Sequence, residues 1–316
     1  MTTWKKLSTR VVLVMGLNPG AYTLGGTNTY LVGTGASRLL IDTGAGADGY
    51  VDNLRSAMAA TGTQSIAKII CTHWHHDHTG GIASVLERWP GVPLLKLLPS
   101  PAGAEAIDEE SGNVPDFVPF DHKYENVNDG DRLTTEGATL RVMRTPGHTF
   151  DHISLVCEED GSVFGGDNIL GGTEGTVFSD LAQYMASLHA LLALAPATIY
   201  PGHGPHIGDG VGAIEAYIRH RESRVAQVID ALRAAAGVGT DAGTDAGAEA
   251  PGAALTVQRI VARLYPGLAE LLLPAAENNT RLVLVAIGGG ACGDVDDARL
   301  AEACLAATRA ASASAL

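Results

Sequence analysis

Long apolar runs are missing from this 316-residue chain. No stretch of about 18 consecutive apolar residues occurs, so a membrane-spanning helix is not expected. Basic residues are in the minority, 21 Lys and Arg against 35 Asp and Glu, for a net charge of −14. That balance speaks against a broad positive face for nucleic acid, although bound metal ions would add positive charge at one cleft. Cysteine is scarce: Cys71, Cys157, Cys292 and Cys304 are far apart and form no C-x-x-C pair. Reduced, buried thiols and an intracellular compartment are expected. The N-terminal stretch has no apolar core of the kind a secretory signal needs. Lys5, Lys6 and Arg10, with no acid before Asp42, are consistent with a short mitochondrial presequence. The expected location is the mitochondrial matrix or the cytoplasm.

Histidine, by contrast, is concentrated. Cys71-Thr72-His73-Trp74-His75-His76-Asp77-His78-Thr79-Gly80-Gly81 packs an H-x-H-x-D-H pattern directly behind the apolar run Ile69-Ile70-Cys71. His73 and His75 are two apart and can point the same way at an extended strand end. Asp77 and His78 follow a turn later and can face a second point. Imidazole and carboxylate together are the donors of borderline divalent metals, usually about four per ion. Two ions need more donors than this cluster holds. Trp74 and His76 are read as packing or facing outward.

The chain is 46% hydrophobic, enough for a sizeable core. Val11 to Met15, Thr29 to Val32 and Arg38 to Ile41 read as strands. Asp48 is a candidate cap for a helix running to about Ala60. Lys68 to Cys71 reads as a buried strand and Gly81 to Arg88 as a helix stopped by Pro90-Gly91. Pro99 to Pro119 reads as a surface loop. Short strands follow around Leu133, Leu140 to Met143, Ile153 to Cys157 and Ser162 to Phe164. Leu181 to Leu194 is predicted helical and Thr198 to Tyr200 a strand. Apolar residues from Ile214 to Leu232 recur at helical spacing and predict a helix from about Val211 to Ala236. Gly237 to Gly252 is almost wholly Gly, Ala, Thr, Asp and Glu and reads as a flexible linker. This gives a catalytic domain over 1–236, a linker over 237–252 and a small helical subdomain over 253–316. The pattern suits an α/β layered sandwich of sheets and helices.

Three further segments answer the demand for donors. Thr145-Pro146-Gly147-His148-Thr149, Phe164-Gly165-Gly166-Asp167-Asn168 and Tyr200-Pro201-Gly202-His203-Gly204-Pro205 each place one donor in a Gly/Pro turn just past a predicted strand. Any one alone would read as a polar loop residue. Three together with the histidine cluster read as a metal centre.

With these segments the chain, from about Val11 to Arg224, resembles the metallo-β-lactamase superfamily. The resemblance implies an αββα sandwich with metals at one edge. It implies one zinc on His73, His75 and His148, a second on Asp77, His78 and His203, and Asp167 between them. Leu39-Leu40-Ile41-Asp42-Thr43-Gly44 matches the superfamily's first motif, in which Asp42 supports the ligands without binding metal. Asn18-Pro19-Gly20, Gly26-Thr27-Asn28-Thr29-Tyr30-Leu31-Val32 and Ile199-Tyr200-Pro201-Gly202-His203-Gly204-Pro205 narrow the likeness to the β-lactamase-like protein 2 family. That family includes endoribonucleases acting on single-stranded RNA and fungal thioesterases. Its C-terminal part is winged-helix-like.

The implied chemistry is hydrolysis by a hydroxide held between two Zn2+, with Mn2+ or Fe as alternatives that share these donors. Asp77 is expected to orient the hydroxide and carry a proton to the leaving group. His152 is a candidate hydrogen-bond partner behind the ligands, against a surface loop position. Arg219, Arg221 and Arg224 are candidates for substrate phosphate, against a plain solvated helix face. The leading expected substrate is single-stranded RNA. The alternative is a thioester of acyl carrier protein, coenzyme A or glutathione. Cys157 falls inside a predicted strand and no cysteine sits in a donor turn, so a thiolate-ligand β-lactamase is not expected. Asp167 and His203 stand 36 positions apart, too close for the large cap insertion of some nucleases.

Overall fold

The computed structural model describes residues 3–98, 122–235 and 256–287. The loop at Pro99 to Pro119, the linker at Gly237 to Gly252 and the C-terminal tail with Cys292 and Cys304 lie outside the described residues. The chain divides into two compact units, Met1–Ile218 and Arg219–Leu316.

The first unit contains two sheets. One has seven strands in sequential order: β1 (Trp4–Lys6), β2 (Val11–Met15), β3 (Asn28–Val32), β4 (Ser37–Ile41), β5 (Ser65–Cys71), β6 (Leu94–Lys96) and β7 (Glu125–Asn126). The first four pair antiparallel, and β4 to β7 pair parallel. The other sheet runs in the order β12 (Ile199–Pro201), β11 (Val163–Gly166), β10 (Ile153–Cys157), β9 (Ala138–Arg144) and β8 (Arg132–Thr135). Only its β11–β12 pair is parallel.

Strand periodicity sorts the side chains. Val11, Tyr30, Val32, Leu39, Ile41 and Ile70 of the first sheet meet Leu140, Val142, Ile153, Leu155 and Phe164 of the second in one core. Their alternates Val12, Val14, Leu31, Leu40 and Ile69 face the opposite way and bury α1 (Tyr50–Ala60) and α3 (Ile82–Arg88) through Tyr50, Leu54, Met58, Ile82 and Val85. Between these helices lies the one-turn α2 (His76–Thr79). α4 (Leu181–Ala193) buries Leu181, Tyr184, Leu188 and Leu191. The αββα sandwich expected from the sequence is therefore present.

Several boundaries differ from the sequence reading. Asp48 does not cap α1: Gly49 occupies that position in a left-handed conformation, with no side-chain cap bond. Asp180 does cap α4, accepting from the Gln183 N–H. Strands β1, β6 and β7 are two or three residues long and leave too little periodicity to be read from sequence.

The long helix α5 (Gly210–Ala235) begins in the first unit and ends in the second. The second unit also holds α6 (Val257–Leu264), capped by Thr256, and a 3-10 turn (Glu270–Leu272) running into α7 (Leu273–Ile287). Within it the Arg224 guanidinium lies 4.2 Å over the Tyr265 ring and donates to the Leu264 carbonyl at 3.3 Å. No helix among the described residues is long and apolar enough to cross a membrane.

Candidate metal centre

The two sheets bring their donor turns to one edge. β4 and β5 are parallel, so Asp42 and the histidine cluster follow the ends of neighbouring strands. β11 and β12 are parallel, so Asp167 and His203 do the same. His148 lies in the connection between β9 and β10. Ligand sites beyond the carboxyl ends of parallel strands are a general outcome of such layering. The cluster itself lies just past β5 rather than on its extended end, and its second half has turned into α2.

Two donor groups result. His73, His75, His148 and Asp167 form one; Asp77, His78, Asp167 and His203 form the other. Asp167 belongs to both.

In the first group the His75 Nδ1 lies 3.0 Å from His73 Nε2 and 3.0 Å from His148 Nε2. The other nitrogens of His73 and His148 are already engaged. His148 Nδ1 donates to the Val177 carbonyl at 2.6 Å. The Thr72 hydroxyl donates to Asp42 Oδ2 at 2.9 Å, so it accepts from His73 Nδ1 at 3.0 Å. Both Nε2 atoms are therefore lone pairs aimed at His75, which has one proton at most to offer there. A cation resolves that conflict. Burial, reinforced by the neighbouring imidazoles, holds His73 well below the usual histidine range and takes His75 down to about 3. Burial lowers His148 as well. All three are neutral donors at pH 7.

The second group is carboxylate-rich. His203 Nε2 lies 3.0 Å from Asp77 Oδ2 and 3.2 Å from Asp167 Oδ2. His78 Nε2 lies 3.4 Å from both Asp77 Oδ2 and Asp167 Oδ1. Buried His78 Nε2 and Asp167 Oδ1 have no hydrogen-bond partner, a deficit that a bound cation would satisfy. Burial opposes protonation of both histidines, but the carboxylates outweigh it. His78 rises well above the usual range beside Asp167, Asp42 and Asp77, and His203 rises to about 9 beside Asp167. Burial likewise opposes ionisation of Asp77 and Asp167. The charge of His78 on Asp77, and of His203 on Asp167, overrides it and holds both below the ordinary carboxylate range. The donors fit divalent metal in both groups.

Support behind the ligands is dense. Asp42, buried and at φ 57, accepts from His78 Nδ1 at 2.8 Å and from the Thr72 N–H at 2.8 Å. It thus orients one donor of each group, His78 directly and His73 through Thr72. His152 is buried rather than a surface residue. Its Nε2 accepts from the Asp167 N–H at 3.1 Å, which leaves Nδ1 to donate to the Thr145 hydroxyl at 2.9 Å. Burial holds it well below the usual range, so it stays a neutral acceptor. Gly202 permits the close approach of β12: a Cβ there would lie 2.1 Å from Asp167 Oδ1 and 3.0 Å from His78 Cε1.

Of the remaining candidates, Trp74 packs edge-on against His75 with ring centroids 4.5 Å apart, and His76 is exposed. Cys157 is buried in β10. Arg219 is exposed, Arg221 is buried and Arg224 is taken up with Tyr265 and Leu264. Sequence reading missed two features. Thr27, held by the Asn18 amide, reaches Asp77, and Lys96 pairs with Asp151 beside His152.

An αββα sandwich with imidazole and carboxylate donors gathered at one edge is the architecture of the metal-dependent hydrolases. The chain belongs to the metallo-beta-lactamase superfamily, whose family profile matches residues 22–203. It is 41% identical over 234 residues to the beta-lactamase-like protein 2 homolog of Caenorhabditis elegans, covering 72% of this chain and 73% of that one. To the Drosophila melanogaster homolog it is 42% identical over 229 residues, covering 71% and 74%. The lactamase-like protein nscB of Neosartorya fischeri is 40% identical over 228 residues, covering 72% of this chain and 62% of its own length. Among solved structures, a metallo-beta-lactamase family protein from Thermus thermophilus shares the fold. Its TM-score is 0.66 at 22% identity, covering 92% of this chain and 98% of that one.

Proposed function

We propose that this chain is a binuclear zinc-dependent endoribonuclease that cleaves single-stranded RNA. The observation that carries the hydrolase reading is Asp167, one carboxylate shared by two donor groups. The RNA reading draws on the Asn18-Pro19-Gly20 and Gly26-to-Val32 motifs, which resemble a family of endoribonucleases, and on the 41% identity to a beta-lactamase-like protein 2 homolog. Bound divalent metal supplies an acidified water and a polarised phosphoryl or carbonyl oxygen. The chain does the rest. His73, His75 and His148 would hold one ion as neutral donors; Asp77, His78 and His203 would hold the other; Asp167 is offered to both. The Asp77 side chain is 25% exposed against 9% for Asp167. It is the carboxylate placed to orient the attacking water and return a proton to the leaving oxygen.

Thioester hydrolysis is the second reading. The net charge of −14 opposes an RNA surface. The loop that ends at Thr27 exposes Tyr22 and Leu24, apolar surface of the kind an acyl chain needs. The purified protein, with and without chelator, should be given a single-stranded RNA and an acyl thioester. RNA cleavage that disappears on chelation and in His78→Ala supports the first reading. Intact RNA beside a hydrolysed thioester replaces it with the second.

Metal uptake carries its own pH signature. The first group is already deprotonated at pH 7, so its loading should change little around neutrality. In the second group His203, at about 9, and His78 hold protons that metal must displace. Affinity there should rise about tenfold per pH unit for each proton released, and weaken as pH falls. In the metal-free protein the sign reverses. Protonated His203 stabilises the fold fully below about 6.5, and that stabilisation is lost as pH rises through about 9. Calorimetric titration in buffers of different ionisation enthalpy counts the protons. A second ion bound at pH 7 without proton release would contradict the assignment.

A further inference from the structure

We infer that Asn18 and Thr27 are positioning residues for the second metal: the Asn18 amide sets the direction of the Thr27 hydroxyl so that it donates to Asp77. This rests on the two-metal reading above.

The segment from Gly16 to Thr27 is cinched around Asn18. The Gly16 N–H donates to the Thr27 carbonyl at 2.7 Å, closing the loop. The Thr23 hydroxyl donates to the Asn18 carbonyl at 2.6 Å. A Cβ at Gly16 would lie 2.9 Å from Asn18 Oδ1, so the loop closes tightly on the amide. Leu17 and Leu24 take φ 61 and 54, left-handed conformations that a leucine adopts only when its surroundings impose them. The far foot of the loop is tied to the His203 turn. Thr27 bridges His203, the Asn28 N–H donates to the Gly202 carbonyl at 2.7 Å, and the Asn28 amide donates to the Pro201 and Gly204 carbonyls at 3.0 and 2.7 Å.

The polarity of the contact follows from proton counting. The Thr27 N–H is a donor only, and it lies 2.9 Å from one side-chain atom of Asn18, which must be the amide oxygen. The amide nitrogen then faces the Thr27 hydroxyl at 2.9 Å and donates to it. With that approach occupied by a donor, the hydroxyl's own hydrogen turns to the remaining acceptor, Asp77 Oδ2, at 3.4 Å. The same oxygen lies 3.0 Å from His203 Nε2 and 3.4 Å from His78 Nε2. It is the atom at which the second donor group converges. Thr27 is fully buried, so solvent does not compete for its hydroxyl.

Cobalt(II) titration followed by electronic absorption tests this without any substrate. Thr27→Val keeps the shape and removes the donor. It should weaken the second cobalt ion by about 10- to 100-fold and leave the first unchanged. Thr27→Ser should restore it. Asn18→Asp is the decisive variant. It keeps an acceptor for the Thr27 N–H but replaces the donor with a carboxylate, which draws the hydroxyl hydrogen away from Asp77. It should reproduce the Thr27→Val phenotype in a folded protein. Wild-type affinity for the second ion in both Thr27→Val and Asn18→Asp overturns the inference. So does equal loss of both ions, which would mark a merely structural loop. Wild-type protein taking up fewer than two ions would instead overturn the two-metal reading, and this inference with it.

Discussion

Asp167→Ala should remove both metal ions together and lower hydrolysis by at least about a thousandfold. The side chain serves two groups at once. Its Oδ1 lies 3.4 Å from His78 Nε2, and its Oδ2 lies 3.2 Å from His203 Nε2 and 3.8 Å from His148 Nε2. No other residue belongs to both groups among the described residues. A metal contributes several kcal/mol of transition-state stabilisation, and about 4 kcal/mol is about a thousandfold in rate. The backbone should survive the change. The Asp167 N–H is held by His152, and its carbonyl accepts from the Thr176 hydroxyl at 2.9 Å. Removing a buried anion also relieves the need for protonated His78 and His203, so the variant should fold. Metal content after dialysis, measured by emission spectroscopy alongside the rate, checks the expectation. His75→Ala and Asp77→Ala are the contrasts, each expected to weaken one site more than the other. An Asp167→Ala protein that keeps two tightly bound ions would show that the carboxylate is not shared.

The candidate donor positions were legible because each is a chemically distinctive residue just past a strand, in an H-x-H-x-D-H cluster or a glycine-containing turn. Local sequence carries both facts. His73, His75, Asp77, His78, His148, Asp167 and His203 all fall in the two groups that the fold assembles. The strands β2 to β5 were also legible as short apolar runs, and β3 has all five residues buried. What stayed hidden depends on contacts between segments distant in the chain. Nothing local says that His75 presents Nδ1 while His73 and His148 present Nε2; that is decided by Thr72 and by the Val177 carbonyl. Asn18 reads as a turn residue until Thr27 and Asp77 are beside it. Asp48 looks like a better cap than Gly49, yet the backbone enters α1 through a left-handed residue that glycine alone adopts without strain. Lys96 belongs to a three-residue strand and reads locally as an ordinary surface lysine.

Lys96 is the second position with a large expected effect, on stability rather than chemistry. Its side chain is 1% exposed and pairs with Asp151, which is 0% exposed. In the β5–β6 register Lys96 stands opposite Cys71, two residues before His73. Asp151 lies between His148 and His152, with a second hydrogen bond from the Thr149 hydroxyl at 2.7 Å. The pair therefore ties the first sheet to the loop that carries a metal donor and the acceptor holding Asp167. Lys96→Met leaves a buried carboxylate with one neutral donor. Breaking a buried ion pair from one side costs roughly 3–5 kcal/mol, a large share of the roughly 5–15 kcal/mol that holds a domain folded. The melting temperature should fall by roughly 6–20 °C. Adding Asp151→Leu removes the stranded charge and should recover most of that loss, since an apolar pair of similar volume is often no worse than the ion pair. Thermal unfolding of the metal-free single and double variants separates the two contributions. An unchanged melting temperature in Lys96→Met would mean the pair does not stabilise the fold. Recovered stability in the double variant without recovered metal uptake on reloading would show that Asp151, beyond neutralising Lys96, holds the loop that carries His148 and lets His152 anchor Asp167.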